Sequence, residues 1–116
     1  MSYDVLADLV AWLPARLGVP CSASVPTSAP DEFVTLERTG GGSGLGVDRP
    51  NLAVQCWSST QAGAYALALA AREALLQCWE SLPQVCSVTV GGIYGFPDPD
   101  SRRPRYQLDV YMVTRQ

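Results

Sequence analysis

The stretch "FVTLERTGGGSGLGVDRPNLAVQCW", residues 33–57, places a glycine cluster between two segments of alternating hydrophobicity. Alternation with a period of two is typical of strands that bury one face. In the first segment, Phe33–Thr39, the apolar face carries Val34 and Leu36. In the second segment, residues 51–57, the apolar face carries Leu52, Val54 and Cys56. The stretch therefore predicts two strands joined as a hairpin with a long glycine-rich loop.

The loop between these strands, residues 39–48, contains five glycines. Glycine allows positive φ angles and gives a free loop a large conformational entropy. The loop is therefore either a slack connector or an arm that becomes ordered only on assembly. Glycine-rich phosphate loops lie between a strand and a helix, and the Walker type also needs a lysine. This loop joins two strands in a chain without lysine, which argues against nucleotide binding.

Two segments have the periodicity of helices that bury one face. The first is Tyr3–Leu17, for which Ser2 is a candidate cap, and Pro14 is expected to bend or end the helix. Its apolar stripe consists of Leu6, Leu9, Val10, Leu13 and Leu17.

The second helix is predicted to begin at "SSTQ", residues 58–61, and to continue to about Glu80. The spacing of Ser58 and Gln61 fits a capping box, in which each side chain bonds the other residue's backbone N–H. The buried stripe is predicted to contain Ala64, Leu67, Ala71, Leu75 and Cys78.

Three further segments complete the predicted architecture. "CSASVP", residues 21–26, is either a short strand or an extended edge, and "VCSVTV", residues 85–90, reads as a strand stopped by Gly91 and Gly92. "YQLDVYMVT", residues 106–114, is a long strand that could be an edge or an internal strand. We therefore expect a single α+β domain, residues 1–116, with a mostly antiparallel or mixed sheet of four to five strands and two helices on one face.

The composition argues against catalysis. The chain of 116 residues has a net charge of -3, no histidine, and eight basic residues that are all arginines. No histidine or lysine is present to activate a serine or cysteine nucleophile, and Asp98 with Asp100 is the one candidate carboxylate pair. We expect a protein that is not an enzyme and has no cofactor.

Metal, nucleic-acid and membrane binding are also disfavoured. The four cysteines form no C-x-x-C pair and are expected to be buried, reduced thiols; Cys56, Cys78 and Cys86 lie in apolar periodic segments. A mildly acidic chain without a basic stripe is a poor match for a phosphate backbone. "MSYDVLADLVAWL" is acidic where a signal peptide is basic, and no apolar run reaches the ~20 residues of a membrane span.

The second irregular loop, "YGFPDPDSRRPRY" at residues 94–106, combines aromatic, proline, aspartate and arginine residues. The planar fork of arginine suits contacts with a protein partner. The alternative is a solvated surface loop whose charges pair with one another.

The order of these segments resembles the tail terminator proteins of long-tailed bacteriophages, in particular those of actinobacterial phages. The resemblance covers nearly the whole chain and is sharpest at "DRP" with "QCW", residues 48–57, and at "PDPDSRRPRYQL", residues 97–108. The lysine-free composition, rich in alanine and arginine, fits a host of high GC content.

This resemblance implies a structural virion protein of the tail and neck, assembled in the host cytoplasm. It would form a homo-oligomeric ring, a hexamer in this family, on the tail tube protein, stop tube polymerisation and join the head-side connector protein. DNA would pass through the ring without sequence recognition. The alternative within the phage neck is a head–tail connector or head-closure protein, and a small-ligand or regulatory binding module is an alternative of another class.

The residues expected at protein interfaces lie in the two loops, where exposed apolar and arginine side chains are typical of interface anchors. In the first loop they are Arg38, Gly41, Leu45, Asp48 and Arg49. In the second loop they are Tyr94, Phe96, Asp98, Arg102 and Arg103.

Overall fold

A computed structural model describes residues 3–116 of the chain. It contains two α-helices, α1 and α2, and seven strands, β1 to β7, with a 3₁₀ turn at Cys78–Glu80 after α2. The elements in chain order are α1 Val5–Leu17, β1 Cys21–Ser22, β2 Phe33–Gly40, β3 Ser43–Gly44, β4 Val47–Asp48, β5 Asn51–Trp57, α2 Gln61–Leu76, β6 Val85–Gly95 and β7 Arg105–Arg115.

The seven strands form one mixed sheet, in which β1 is parallel to β2 and all other pairs are antiparallel. Across the sheet, β1, β2, β5, β7 and β6 follow one another, and β4 and β3 continue from β7 beyond the end of β5. The α+β class and the mixed sheet are confirmed. The expected count of four to five strands is too low, because the glycine-rich segment folds into β3 and β4.

β4 and β5 lie along the same edge of β7 and behave as one strand interrupted at Arg49 and Pro50. Proline has no backbone N–H to donate to a ladder, so it interrupts regular pairing. Its carbonyl is still used, because Met112 N–H donates to Pro50 O at 3.1 Å. The interruption therefore leaves the hairpin attached to β7 on both sides of the proline.

Both helices pack on the same face of the sheet, as expected. The apolar positions predicted for β2, β5 and β7 are buried against the predicted stripe of α2. These core positions include Val34, Leu36, Leu52, Val54, Cys56, Ala64, Leu67, Ala71, Leu75, Cys78, Leu108, Val110 and Met112. The alternation patterns therefore identified the buried face correctly.

The helix ends differ from the expected ones. The side chain of Asp4 accepts a hydrogen bond from Ala7 N–H and caps α1, and Ser2, the expected cap, lies outside the described residues. Pro14 does not end α1, which continues to Leu17 and closes where Gly18 N–H donates to Pro14 O.

α2 begins at Gln61 because Thr60, rather than Ser58, accepts from Gly63 N–H. The hydroxyl of Ser58 donates to Glu32 instead, so the expected capping box is absent from this end of α2.

β6 and β7 are both longer than expected. β6 passes through Gly91 and Gly92 with a register shift and continues to Gly95. β7 lies between β5 and β6 and is therefore an internal strand, which leaves β6 as an edge of the sheet.

Candidate protein interface

The hairpin tip, residues 41–50, is held together by a buried carboxylate. The Arg38 guanidinium donates to both oxygens of Asp48, over 2.6 Å to Oδ2 and 2.9 Å to Oδ1. The Ser43 hydroxyl donates to Oδ1 at 2.6 Å, and Arg49 N–H donates to the same atom at 3.0 Å. Bidentate, charge-assisted pairs of this kind fix geometry as well as contributing energy.

These bonds stabilise the charged form of Asp48. The hydrogen bonds from Arg38 and then Ser43 lower the pKa of Asp48 from 3.8 to about 2. The side chain is 10 % exposed. The carboxylate is therefore ionised under all physiological conditions, and its role in the hairpin tip is constant with pH in that range.

Gly41 is conformationally required. Its φ angle is 101°, and a Cβ on Gly41 would overlap the carbonyl oxygen of Arg49. The two sides of the hairpin also meet where Arg49 N–H donates to Gly42 O at 3.0 Å. Gly41 thus lets the two backbones approach each other at the base of the tip.

Residues 39–48 are a folded hairpin rather than the long loop that we expected. β3 and β4 pair with each other, β4 pairs with β7, and Gly46 with a φ of 74° forms the turn beside Leu45. The side chain of Leu45 is fully exposed at the turn. The segment is therefore neither a slack connector nor an arm that is ordered only on assembly, because its strands pair within the subunit.

The second loop is shorter than expected, because residues 94–95 belong to β6 and residues 105–106 to β7. Its remaining residues, 96–104, are the turn of the β6–β7 hairpin. Phe96 N–H donates to Arg105 O at 2.8 Å, and Arg102 N–H donates to Asp98 O at 2.8 Å. The Asp98 carboxylate accepts from the backbone and hydroxyl of Ser101, and these bonds lower its pKa. Asp98 therefore organises the turn, and Arg102 occupies the left-handed region with a φ of 59°.

A row of stacked arginine and aromatic side chains lies beneath this loop, on the sheet face opposite the helices. Phe33 and Trp57 stack with their ring centroids 5.1 Å apart. Arg103 lies over Phe33, and Arg105 lies between Trp57 and Phe96, at 4.8 and 4.5 Å from their ring centroids. The row fastens the second loop to the ends of β2 and β5.

Arg105, Phe33 and Trp57 in this row were missed as candidate residues. Phe33 begins β2 and Trp57 ends β5, so the predicted hairpin already places them opposite each other. Arg105 directly precedes the predicted final strand, and it pairs with Trp57 in the observed register. The register of the predicted hairpin could have shown that Phe33 and Trp57 are neighbours. The position of Arg105 could not be predicted, because it depends on the pairing of β5 with the distant strand β7.

The ten candidate residues form two groups at opposite ends of β7. Val47 of the hairpin tip pairs with Arg115, whereas Phe96 of the second loop bonds Arg105. At about 3.3 Å per residue, the ten steps of β7 separate these ends by roughly 33 Å. The first group is Arg38, Gly41, Leu45, Asp48 and Arg49, and the second is Tyr94, Phe96, Asp98, Arg102 and Arg103.

Only part of each group has side chains available to a partner. Arg38 and Asp48 are bonded to each other, and Arg103 donates to the carbonyls of Pro30 and Asp31. Within residues 3–116, the guanidinium groups of Arg49 and Arg102 make no hydrogen bond or ion pair. Each end of the molecule therefore offers an exposed arginine without such a bond, and exposed apolar groups, namely Leu45 at one end, and Tyr94 and Phe96 at the other.

A groove of about 500 Å³ lies between residues 25–29 and the second loop, with Phe33 and Trp57 among its lining residues. Arg103 and Arg105 border it, but both already donate to backbone carbonyls, Arg105 to Phe96 O at 2.7 Å. Part of each guanidinium is therefore already engaged within the subunit.

Among residues 3–116, no three histidine, cysteine, aspartate or glutamate side chains are grouped closely enough to hold a metal ion. No helix in the same part of the chain is both long enough and apolar enough to cross a membrane. No protein-family model matches the chain, and no curated protein is detectably similar to it.

Proposed function

We propose that this chain is a structural subunit that closes into a ring at the end of a phage tail tube, stops tube polymerisation and forms the joint to the head-side connector. A ring closes through head-to-tail contacts, so each subunit must offer two different patches to its neighbours. The observation that carries the proposal is the placement of two hydrogen-bonded tips at opposite ends of β7.

Each tip has the composition of an interface anchor. Each carries exposed apolar or aromatic side chains and an exposed arginine, and such residues dominate the binding energy of many interfaces. Both tips are held by internal hydrogen bonds, so binding carries little entropy cost for ordering them. The proposed role requires neither a cofactor nor a catalytic group, and DNA passes through the ring without sequence recognition.

The order of sequence motifs supports the tail terminator in particular. It resembles that family over nearly the whole chain, including "DRP" at the hairpin tip and "PDPDSRRPRYQL" across the second loop. A head-closure or connector protein of the phage neck is the alternative assignment, because such a subunit also forms a ring in a virion.

Electron microscopy of lysates from a phage that lacks this gene tests the proposal. Tails that exceed their normal length and fail to join heads are the expected result. Tails of normal length beside filled heads would assign the subunit to the head side of the joint. Normal, infectious particles would contradict both assignments.

Complementation with point variants tests the tips. Leu45→Asp places a charge at the fully exposed turn, and we expect it to fail in complementation while the purified subunit keeps its melting temperature. Val25→Asp is the matched control, because Val25 is also an exposed apolar residue, at 53 %. Full complementation by Leu45→Asp would exclude the hairpin tip as a contact.

A further inference from the structure

β6 is an edge strand that is open along its outer side. It pairs with β7 on one side, and no strand pairs with its other side within the described residues. β6 spans eleven residues, Val85–Gly95, whereas β1 at the opposite edge of the sheet spans two. An unpaired edge presents a row of backbone donors and acceptors to which another strand can bind.

The sequence of this edge lacks two of the devices that protect edges against pairing. "VCSVTVGGIYG" contains no charged residue and no proline. Register shifts near Cys86 and at Gly91–Gly92 leave a regular section at Ser87–Val90. This regular section is rich in β-branched residues, which favour strand pairing.

The apolar layer is also incomplete beside β6. Val88, Val90 and Ile93 pack against the core but remain partly exposed. The adjoining flank of α2 and the 3₁₀ turn carries large exposed side chains, Tyr65 at 46 %, Leu76 at 40 % and Trp79 at 55 %.

The position of that flank follows from helix geometry and from the packing of α1. Tyr65 and Leu76 are separated by about three helical turns, so they lie on one stripe of α2. The ring of Tyr65 lies 5.3 Å from that of Tyr106 on β7, which pairs with Gly95 of β6 and with Cys56 of β5. α1 packs against α2, β1 and β2, so it covers the flank of α2 that faces β2, and the exposed stripe lies on the other flank, towards β6.

We propose that two copies of this chain pair through β6, antiparallel and around a two-fold axis that passes through the Ser87–Val90 section. A two-fold contact places the same patch on both sides, so any charge in the strand would meet a like charge near the axis. β6 carries none. The partner strand must have a long, open edge, and β6 itself offers the longest one among residues 3–116.

This arrangement also covers the exposed apolar side chains. A two-fold axis perpendicular to the sheet keeps both helical layers on the same face. The stripes that carry Tyr65, Leu76 and Trp79 then approach each other across the seam, while Val88 and Val90 gain neighbours in the extended core. The contact uses neither the hairpin tip nor the second loop, so it is independent of the proposed ring contacts.

Sedimentation equilibrium of the purified full chain over a concentration series tests the pairing. The variant is Thr89→Lys, which places two ammonium groups near the axis; Thr89 is exposed, so the subunit itself should fold normally. Ser28→Lys adds the same charge at an exposed loop position and is the control. We expect a wild-type dimer whose dissociation constant rises about tenfold or more in Thr89→Lys and is unchanged in Ser28→Lys.

Hydrogen exchange identifies the seam independently. Amides of residues 87–90 should become more protected as the wild-type concentration rises, and this change should be absent from Thr89→Lys. Ser87→Lys replaces Thr89→Lys if the latter does not fold, and the same weakening is expected from it.

Three results would overturn the pairing while leaving the proposed ring untouched. They are a wild-type monomer at every concentration, a dimer equally stable in Thr89→Lys, and an oligomer that Leu45→Asp dissociates but Thr89→Lys does not. A failure of tube-end capping in the phage, in contrast, bears on the ring alone.

Discussion

Gly41 shows how a single residue determines the shape of the hairpin tip. With its φ of 101° and the Arg49 carbonyl where a Cβ would lie, the position accepts no side chain without a backbone shift. We expect Gly41→Ala to lower the free energy of unfolding by about 2 kcal/mol. Chemical denaturation followed by circular dichroism measures this difference.

Gly42 provides a matched control for Gly41. A Cβ at Gly42 would meet no heavy atom within 4 Å, and its φ is not in the left-handed region. Gly42→Ala should therefore change the free energy of unfolding by less than about 0.5 kcal/mol. Equal destabilisation by the two alanine variants would contradict the role assigned to the close approach at Gly41.

Arg105 provides a second test at the scale of one residue. Its guanidinium lies between the rings of Trp57 and Phe96 and donates from Nε to Phe96 O. A lysine cannot reproduce both the planar stacking and this bond, so Arg105→Lys should lower the free energy of unfolding by roughly 1–2 kcal/mol.

Arg72→Lys is the control for Arg105→Lys, because Arg72 is a half-exposed helix residue whose ion pair with exposed Glu73 spans 3.8 Å. Exposed pairs of this kind contribute little. Chemical denaturation of both variants measures the difference, and an Arg105→Lys protein as stable as Arg72→Lys would show that the stacked row is not a stabilising contact.

At the scale of elements, the hairpin tip should be sensitive to acid. The folded-state pKa of Asp48 is depressed to about 2 from 3.8, so its contribution to stability is complete above the unfolded value. This contribution is lost as the pH falls from about 4 through about 2. The protection factors of residues 41–50, corrected for the intrinsic exchange rate at each pH, should fall in that window at constant ionic strength.

Asp48→Asn is the control for the acid response. It removes the titrating group, so the variant should be less stable at neutral pH by about 1–3 kcal/mol. The difference in stability between wild type and variant should disappear towards pH 2. A constant difference from pH 7 to pH 2 would show that Asp48 does not carry the acid response.

Elements were predictable where local periodicity decides them. The alternation in β2, β5 and β7 identified the buried face, and the stripe of α2 was correct from Ala64 to Leu75. Its last predicted member, Cys78, is buried in the 3₁₀ turn, because α2 ends at Leu76 and not near Glu80. The conformation of residues 39–48 was not predictable, because β4 pairs with the distant end of β7 and Asp48 pairs with Arg38. Glycine content describes freedom in the unfolded chain and does not reveal which long-range partners restrict it.

The same distinction applies to the candidate site. The sequence singled out two candidate segments, because apolar and arginine residues are concentrated in them. It did not indicate that the two segments lie at opposite ends of β7, or that Arg105 fastens the second loop. Both facts depend on the register between strands that are far apart in the chain.

At the scale of the whole molecule, the two buried cysteines, Cys56 and Cys78, report on global unfolding. All four are free thiols, but Cys86 is exposed, in contrast to the expected burial of this residue. Its position in the edge strand β6 explains the difference. Cys56 and Cys78 are buried, and burial raises the pKa of Cys56 to about 12 and that of Cys78 to about 11.

A thiol-reactive reagent at neutral pH and low protein concentration should therefore modify Cys86 first. Half-buried Cys21 should react more slowly, and Cys56 and Cys78 should react only at the rate of global unfolding. Mass spectrometry of the labelled peptides over time measures this order. In Cys86→Ser the fast phase should vanish, and rapid labelling of Cys56 in the folded protein would contradict the packing of the core.

The central position of β7 has a mechanical consequence. A pull between the hairpin tip and the second loop runs along the axis of β7, so the ladders to β5 and β6 are loaded together in shear. Interstrand hydrogen bonds that are loaded in shear must break together. When a hairpin is instead pulled open across its strands, its hydrogen bonds break one after another. Tension along the subunit is therefore carried by the central ladders, and the two-residue strands β3 and β4 are the part that yields first.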